Sequence, residues 1–99
     1  MILGKVIGTV WSTRKDENLV GAKFLIVRFL DLEYKPKDST VIAVDSVGAG
    51  VGEIVLVAQG SSARQTTFTK NKPVDAVIMA IVDKLDISVK DKLKEVVEV

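Results

Sequence analysis

The residues best suited to chemistry lie between Asp45 and Arg64, in Asp45-Ser46-Val47-Gly48-Ala49-Gly50-Val51-Gly52-Glu53 and Gly60-Ser61-Ser62-Ala63-Arg64. A glycine-rich loop after a strand can cradle a dinucleotide pyrophosphate when it opens a helix. Gly48 and Gly50 fit G-x-G, but the third glycine position is Glu53, and Ile54 to Ala58 reads as a strand. No Gly-Lys-Ser/Thr follows, so the loop is not a P-loop either. These glycines are expected in a strand-to-strand connection that needs positive φ or close approach by a neighbouring backbone. Ser61 and Ser62 stand near Arg64 without an adjacent base. Asp75 and Asp83 flank a strand without an obvious partner acid, and their spacing matches no metal site. Lys70 and Lys72 near Phe68 form a small basic-aromatic cluster that reads as a solvated loop.

The rest of the composition narrows the chemistry further. Histidine and cysteine are both absent. That excludes disulfides, thiol nucleophiles, most zinc sites and the usual general base near neutral pH. The 14 basic and 13 acidic side chains leave a net charge of +1, with no field directed at nucleic acid, anionic membrane or acidic substrate. Catalysis, a cofactor and a metal are therefore not expected. The 99 residues allow one small domain, which buries roughly 60–70% of its unfolded surface. Yet 47% of the chain is hydrophobic and the mean hydropathy is +0.30, high for a small soluble monomer. The start, Met1-Ile2-Leu3-Gly4-Lys5, has neither a basic leader nor a sustained apolar run. In the C-terminal half the longest uncharged apolar run, Ala76 to Val82, falls far short of the roughly 20 residues that span a bilayer. A cytoplasmic protein is expected.

The elements that must position these residues are mainly strands. Ile2/Leu3, Val6/Ile7 and Val10/Trp11 are apolar pairs separated by Gly4-Lys5 and Gly8-Thr9. Glycine at every fourth position would cost a helix about 1 kcal/mol each, so a strand bent at Gly4 and Gly8 is expected. Further strands are expected over Lys23 to Leu32, Thr40 to Val44, Glu53 to Ala58 and Val74 to Val82. Arg14 to Asn18 reads as a charged loop, and Glu33 to Asp38 as a turn. Five short strands at this spacing predict a small antiparallel β-barrel over residues 1–86. Residues 87–99 predict a short amphipathic C-terminal helix, packed on the barrel or a neighbour. Ser88 with Asp91 resembles a capping pair there, and Val89, Leu93, Val96 and Val97 share a face.

Two of the strands are apolar on both faces. Phe24, Ile26, Leu30 and Leu32 alternate with Leu25, Val27 and Phe29. Val74, Ala76, Ile78, Ala80 and Val82 alternate with Val77, Met79 and Ile81. One small interior cannot hold both sets. The surplus face must meet the tail, the loops or another subunit, and an oligomer is expected.

The stretch from Ala43 to Gln65 closely resembles the signature of the bacterial microcompartment vertex proteins, the EutN/CcmL family. The family's G-A-G-x-G-E loop, V-L-V strand and G-S-S-A-R turn correspond to Gly48–Glu53, Val55-Leu56-Val57 and Gly60–Arg64. Gly8-Thr9-Val10 with Ser12-Thr13 resembles the family's first strand, and Pro73-Val74-Asp75-Ala76 to Ile81-Val82-Asp83 its last. The tail from Ile87 matches no part of the pattern.

This resemblance implies an OB-like five-stranded barrel, assembled as a homo-pentamer that caps the five-fold vertices of a polyhedral shell. It implies hexameric shell proteins as partners and a place in the microcompartment shell. Gly48, Ala49, Gly50, Gly52, Glu53, Gly60, Ser61, Ser62 and Arg64 are the candidate residues of the subunit interface or five-fold opening. Arg64 could donate to carbonyls or to a carboxylate such as Glu53 across the seam. The alternative, a single-strand nucleic-acid-binding module on an OB-fold, needs basic grooves and stacking aromatics. Aromatics are scarce here, being Trp11, Phe24, Phe29, Tyr34 and Phe68, and the charges balance. Neither nucleic acid nor membrane is an expected partner.

Overall fold

Glycine punctuation and alternating apolar residues produce five strands in the computed structural model, which describes residues 1–12, 15–67, 69–70 and 72–88. β1 is Ile2–Val10, β2 Phe24–Leu30, β3 Pro36–Asp45, β4 Ile54–Gln59 and β5 Ala76–Val82. They close into a barrel in the order β1-β2-β3-β5-β4. Short 3-10 turns at Glu17–Leu19 and Gly60–Arg64 complete the described elements.

The expected all-antiparallel barrel is corrected at one seam. β1–β2, β1–β4, β2–β3 and β4–β5 are antiparallel, but β3 and β5 pair in parallel through Val44↔Val77 and Asp45↔Ile78. The reason is topological: a ring with an odd number of strands cannot alternate direction at every seam.

β3 starts four residues earlier than the expected Thr40, at Pro36 opposite Leu30. Proline suits a strand's first residue because it has no N–H to give to a ladder. Residues 37–40 are polar and exposed, so the start of this strand carries no apolar pattern. The turn before them occupies 31–35 rather than 33–38. Asp31 Oδ1 accepts from the backbone N–H of Glu33 and Lys35 at 2.8 and 3.0 Å, and Tyr34 takes φ 64°.

Of the two bends expected in β1, the irregularity falls before Gly8, while the pairing runs on unbroken through Gly4. At Gly4 a Cβ would sit closer than 3.0 Å to Val27 Cγ1, so glycine lets β2 lie against it. Between Val6 and Gly8 the register shifts, leaving Ile7 as an extra, outward residue.

Similar shifts redistribute the apolar faces. In β2, Leu25, Val27 and Phe29 point inward, while Leu30 is also buried after the shift between Arg28 and Leu30. In β5 the shift opposite Leu56/Val57 makes Met79 the extra residue. Ala76 and Ile78 join the interior, as does Ile81 beyond the bulge, and the pairing turns Ala80 and Val82 outward. The continuous alternation read from Val74 to Val82 is therefore corrected.

The interior cluster is built from Val6, Leu25, Val27, Phe29, Ala43, Ala49, Val55, Val57, Ala76 and Ile78. A second cluster lies on the outer face, formed by Ala22, Val44, Ala58, Ala63, Val74 and Val77 with Leu19, Phe24 and Met79. The two 3-10 turns supply Leu19 and Ala63, so this chain's own loops cover part of the surplus apolar face. Another part stays open. Ile26 lies directly opposite Ile42 on the outer face of β2–β3, and Ile42 and Ile7 are 55% and 48% exposed. Ile87 and Ser88 have no regular structure, and the expected tail helix otherwise lies outside the described residues.

Candidate functional site

The glycine-rich loop is organised by Asp45, the last residue of β3. Its Oδ1 accepts from the backbone N–H of Val47, Gly48 and Ala49, each at 3.1 Å. Three converging donors on one carboxylate form an Asx-type turn, which the left-handed φ of 79° at Gly48 allows. This turn drops Ala49 into the end of the barrel, where it is 1% exposed and joins the interior cluster. Lys23 Nζ donates to the Ala49 carbonyl at 3.0 Å, and Ser46 Oγ donates to the Ile78 carbonyl at 2.6 Å.

The second half of the loop is organised by Glu53. Its Oε1 accepts from the Gly50 N–H at 2.6 Å, and its own N–H donates to the Gly50 carbonyl at 3.2 Å. The turn between them requires the φ of 95° at Gly52. Gly52 N–H then donates to the Val6 carbonyl, and Val6 N–H to the Glu53 carbonyl, at 2.8 and 2.9 Å. These bonds stitch the loop to β1. Gly50 is not at positive φ, and a Cβ there would meet only Glu53 Oε1, at 3.5 Å.

A phosphate cradle needs free N–H groups. Here the N–H groups of residues 47, 48, 49, 50, 52 and 53 are all committed within the chain. Two carboxylates already occupy the anion positions. The loop is a structural plug with an exposed tip, where Val51 and Val47 are 64% and 40% exposed.

Gly60 to Arg64 lies at the other end of β4. Gly60 has φ 64° and donates to the Asp75 carbonyl at 2.8 Å. Ala63 is fully buried in the outer cluster. Arg64 Nη1 donates to the Val74 carbonyl at 3.0 Å, holding the turn against the strand-entry segment. Ser61, Arg64, Gln65 and Lys70 line an open surface depression.

The structure thus gathers Gly48, Ala49, Gly50, Gly52 and Glu53 into one loop, and Gly60, Ser61, Ser62 and Arg64 into one turn. It does not bring the two groups together within a subunit. The six residues of β4 separate them by about 20 Å at about 3.3 Å per residue. Arg64 and Glu53 each bond a backbone group of their own chain instead of one another. Asp45, Lys23 and Ser46 were not among the candidate residues. Asp45 was the detectable one, because Asp two to three residues before a glycine is an Asx-turn signal.

A closed five-stranded barrel of OB-like topology, plugged by a glycine loop, defines the architectural class. The family model described as "Ethanolamine utilisation protein EutN/carboxysome" matches residues 1–83. The bacterial microcompartment shell vertex protein GrpN of Rhodospirillum rubrum (strain F11) is 52% identical over 86 residues, covering 87% of this chain and 97% of that protein. The carboxysome shell vertex protein CcmL of Synechocystis is 46% identical over 88 residues, covering 89% of this chain and 88% of the relative. Among solved structures, the GrpN pentameric microcompartment shell protein from Rhodospirillum rubrum superposes with a TM-score of 0.80 at 50% identity, covering 88% of this chain and 99% of that one. CcmL of Nostoc sp. PCC 7120 superposes with a TM-score of 0.85 at 43% identity, covering 89% and 93%. The chain belongs to the EutN/CcmL family.

Proposed function

We propose that this chain forms the five-fold vertex of a bacterial microcompartment shell, as a homo-pentamer set among hexameric shell proteins. The observation that carries the reading is the match, over 88% of the chain, to a shell protein described as pentameric. Geometry supplies the need: six-fold tiles form a flat sheet, and a sheet closes into a polyhedron only where five-fold units are inserted.

The barrel offers the surfaces a ring requires. Ring interfaces are heterologous, joining two different patches of each subunit. Ile7, Ile26 and Ile42 form one apolar patch across β1–β2–β3. Across the barrel, β4–β5 presents Ile54 and Leu56 opposite Val82 and Ala80, all four half-buried. The tips of the two candidate groups, Gly48–Glu53 and Gly60–Arg64, line the same seam or the axial opening.

The role is architectural rather than catalytic, in keeping with relatives named as shell vertex proteins and with a loop whose donors are internally committed. The same names favour a shell component over a nucleic-acid binder. Among the described residues no helix is long and apolar enough to cross a membrane.

Native mass spectrometry tests the reading. Five chains of 10.7 kDa give 5 × 10.7 = 53.5 kDa, and a monomer at micromolar concentration would refute it. Gly50→Val tests the seam. Its Cβ has room within the subunit, so the barrel should keep its far-ultraviolet β signal while the pentamer is lost. An intact pentamer of this variant removes Gly50 from the seam.

A further inference from the structure

The β3–β5 seam is the shortest in the barrel: only Val44 and Asp45 of β3 meet β5, at Val77 and Ile78. The two strands then part, and the pairing tells which backbone groups are left open. In an antiparallel ladder successive residues turn their N–H and C=O to opposite sides. Asp45 N–H donates to the Lys23 carbonyl at 2.9 Å, so Asp45, Ala43 and Val41 face β2. Val44, Ile42 and Thr40 face away from it. Val44 meets β5 there, whereas Thr40 and Ile42 meet no strand among the described residues. β5 is open in its second half. Opposite Val44 it turns the groups of Ala76 and Ile78 to β3, leaving those of Val77 to β4. The extra residue Met79 reverses the alternation, so Ala80 and Val82 face β4 and Ile81 faces the seam, past the point where β3 has left it.

An unpaired edge is a template for another strand unless charge, proline or a cover blunts it. Pro36, Lys37 and Asp38 guard the start of β3, but Thr40-Val41-Ile42 carries no such guard. Ile42 is also 55% exposed and belongs to the patch it forms with Ile7 and Ile26. The open length of β3 precedes the Val44–Val77 contact and that of β5 follows it, so in two parallel strands they point to opposite ends of the seam and cannot pair within one subunit. Two different surfaces of one chain are what a ring joins. We propose that the Thr40–Ile42 edge of β3 pairs with the Ile81 edge of β5 in the next copy of this chain. The occupant is a second copy because the chain matches a pentameric shell protein over 88% of its length, and because this edge borders the apolar patch set against the neighbour's β4–β5. The inference rests on that pentamer reading and adds a backbone ladder to it: apolar contact supplies area, and the ladder fixes register.

Amide-resolved hydrogen exchange by NMR on the deuterated full-length chain, with native mass spectrometry on the same sample, tests the pairing. In the pentamer the Thr40, Ile42 and Ile81 amides should exchange at least about 100-fold slower than unstructured amides. Rapid exchange at Thr40 and Ile42, or at Ile81, in an intact pentamer would overturn the pairing and leave the pentamer standing; a monomer would overturn both. Thr40→Pro removes one outward N–H and spares the β2 ladder, whereas Val41→Pro removes one that β2 uses. Thr40→Pro should keep the far-ultraviolet β signal and lose the pentamer. Exchange at Ile81 should quicken at least about tenfold while Val44 and Val77 stay protected. A Thr40→Pro pentamer with Ile81 still protected would overturn the proposal. If that variant does not fold, the exchange rates of the unaltered chain decide alone.

Discussion

Gly4 lies too close to Val27 of β2 to leave room for a Cβ, and replacing it with alanine perturbs the fold by a single atom. That Cβ would lie closer than 3.0 Å to Val27 Cγ1 and 3.1 Å from the Arg28 carbonyl oxygen. Optimal carbon–carbon contact is about 3.5–4.0 Å, so the two strands must part. Val27 cannot easily give way. It is fully buried in the interior cluster, and its branched Cβ restricts rotation about χ1. Forcing an extra carbon into a packed core costs about 1–3 kcal/mol. For a domain of this size each kcal/mol lowers the melting temperature by about 4–8 °C, so Gly4→Ala should lower it by about 4–24 °C. Circular dichroism melts at matched chain concentration measure this, because assembly makes melting concentration-dependent. The decisive comparison is with Val27→Ala, which removes the clashing carbon and leaves a cavity of its own. The double variant should be more stable than the sum of the single losses predicts, with a coupling of about 0.5–3 kcal/mol. An unchanged melting temperature for Gly4→Ala, or strictly additive losses, would refute the close-approach explanation of this glycine.

Asp45→Ala leaves three loop N–H groups without their acceptor and should cost about 1–2 kcal/mol in chemical denaturation. Asp45→Asn keeps one acceptor oxygen and should recover most of that, and equal losses for both would discount the turn. Deleting Ser88 to Val99 should lower the melting temperature while the β signal persists; loss of that signal would make the tail integral to the barrel. With a net charge of +1 and few contacts able to neutralise phosphates, a fluorescent oligonucleotide should bind weakly at physiological salt. A sub-micromolar, strongly salt-dependent Kd would revive the nucleic-acid reading.

The sequence alone marks a small β protein without the groups for thiol or histidine chemistry. It also shows which family the chain resembles and that glycines interrupt the apolar pattern of the first strand. These conclusions rest on residue type and local spacing: glycine is the residue without a Cβ, and alternating apolar residues suit a pleated strand. It also showed that the chain carries more apolar surface than one barrel interior can hold.

What it could not reveal is how that surface is shared, because the sharing depends on cross-strand register. The bulges at Ile7 and Met79 each insert one residue, and one residue reverses which face every later side chain occupies. Ile81 therefore turns inward and Val82 outward, with no local signal to mark the change. The parallel β3–β5 seam follows from closing an odd number of strands, a property of the whole ring. The candidate site divides for the same kind of reason. The glycine loop and the Gly60–Arg64 turn are adjacent in sequence, but a strand between them is extended, and extension carries them to opposite ends of the barrel.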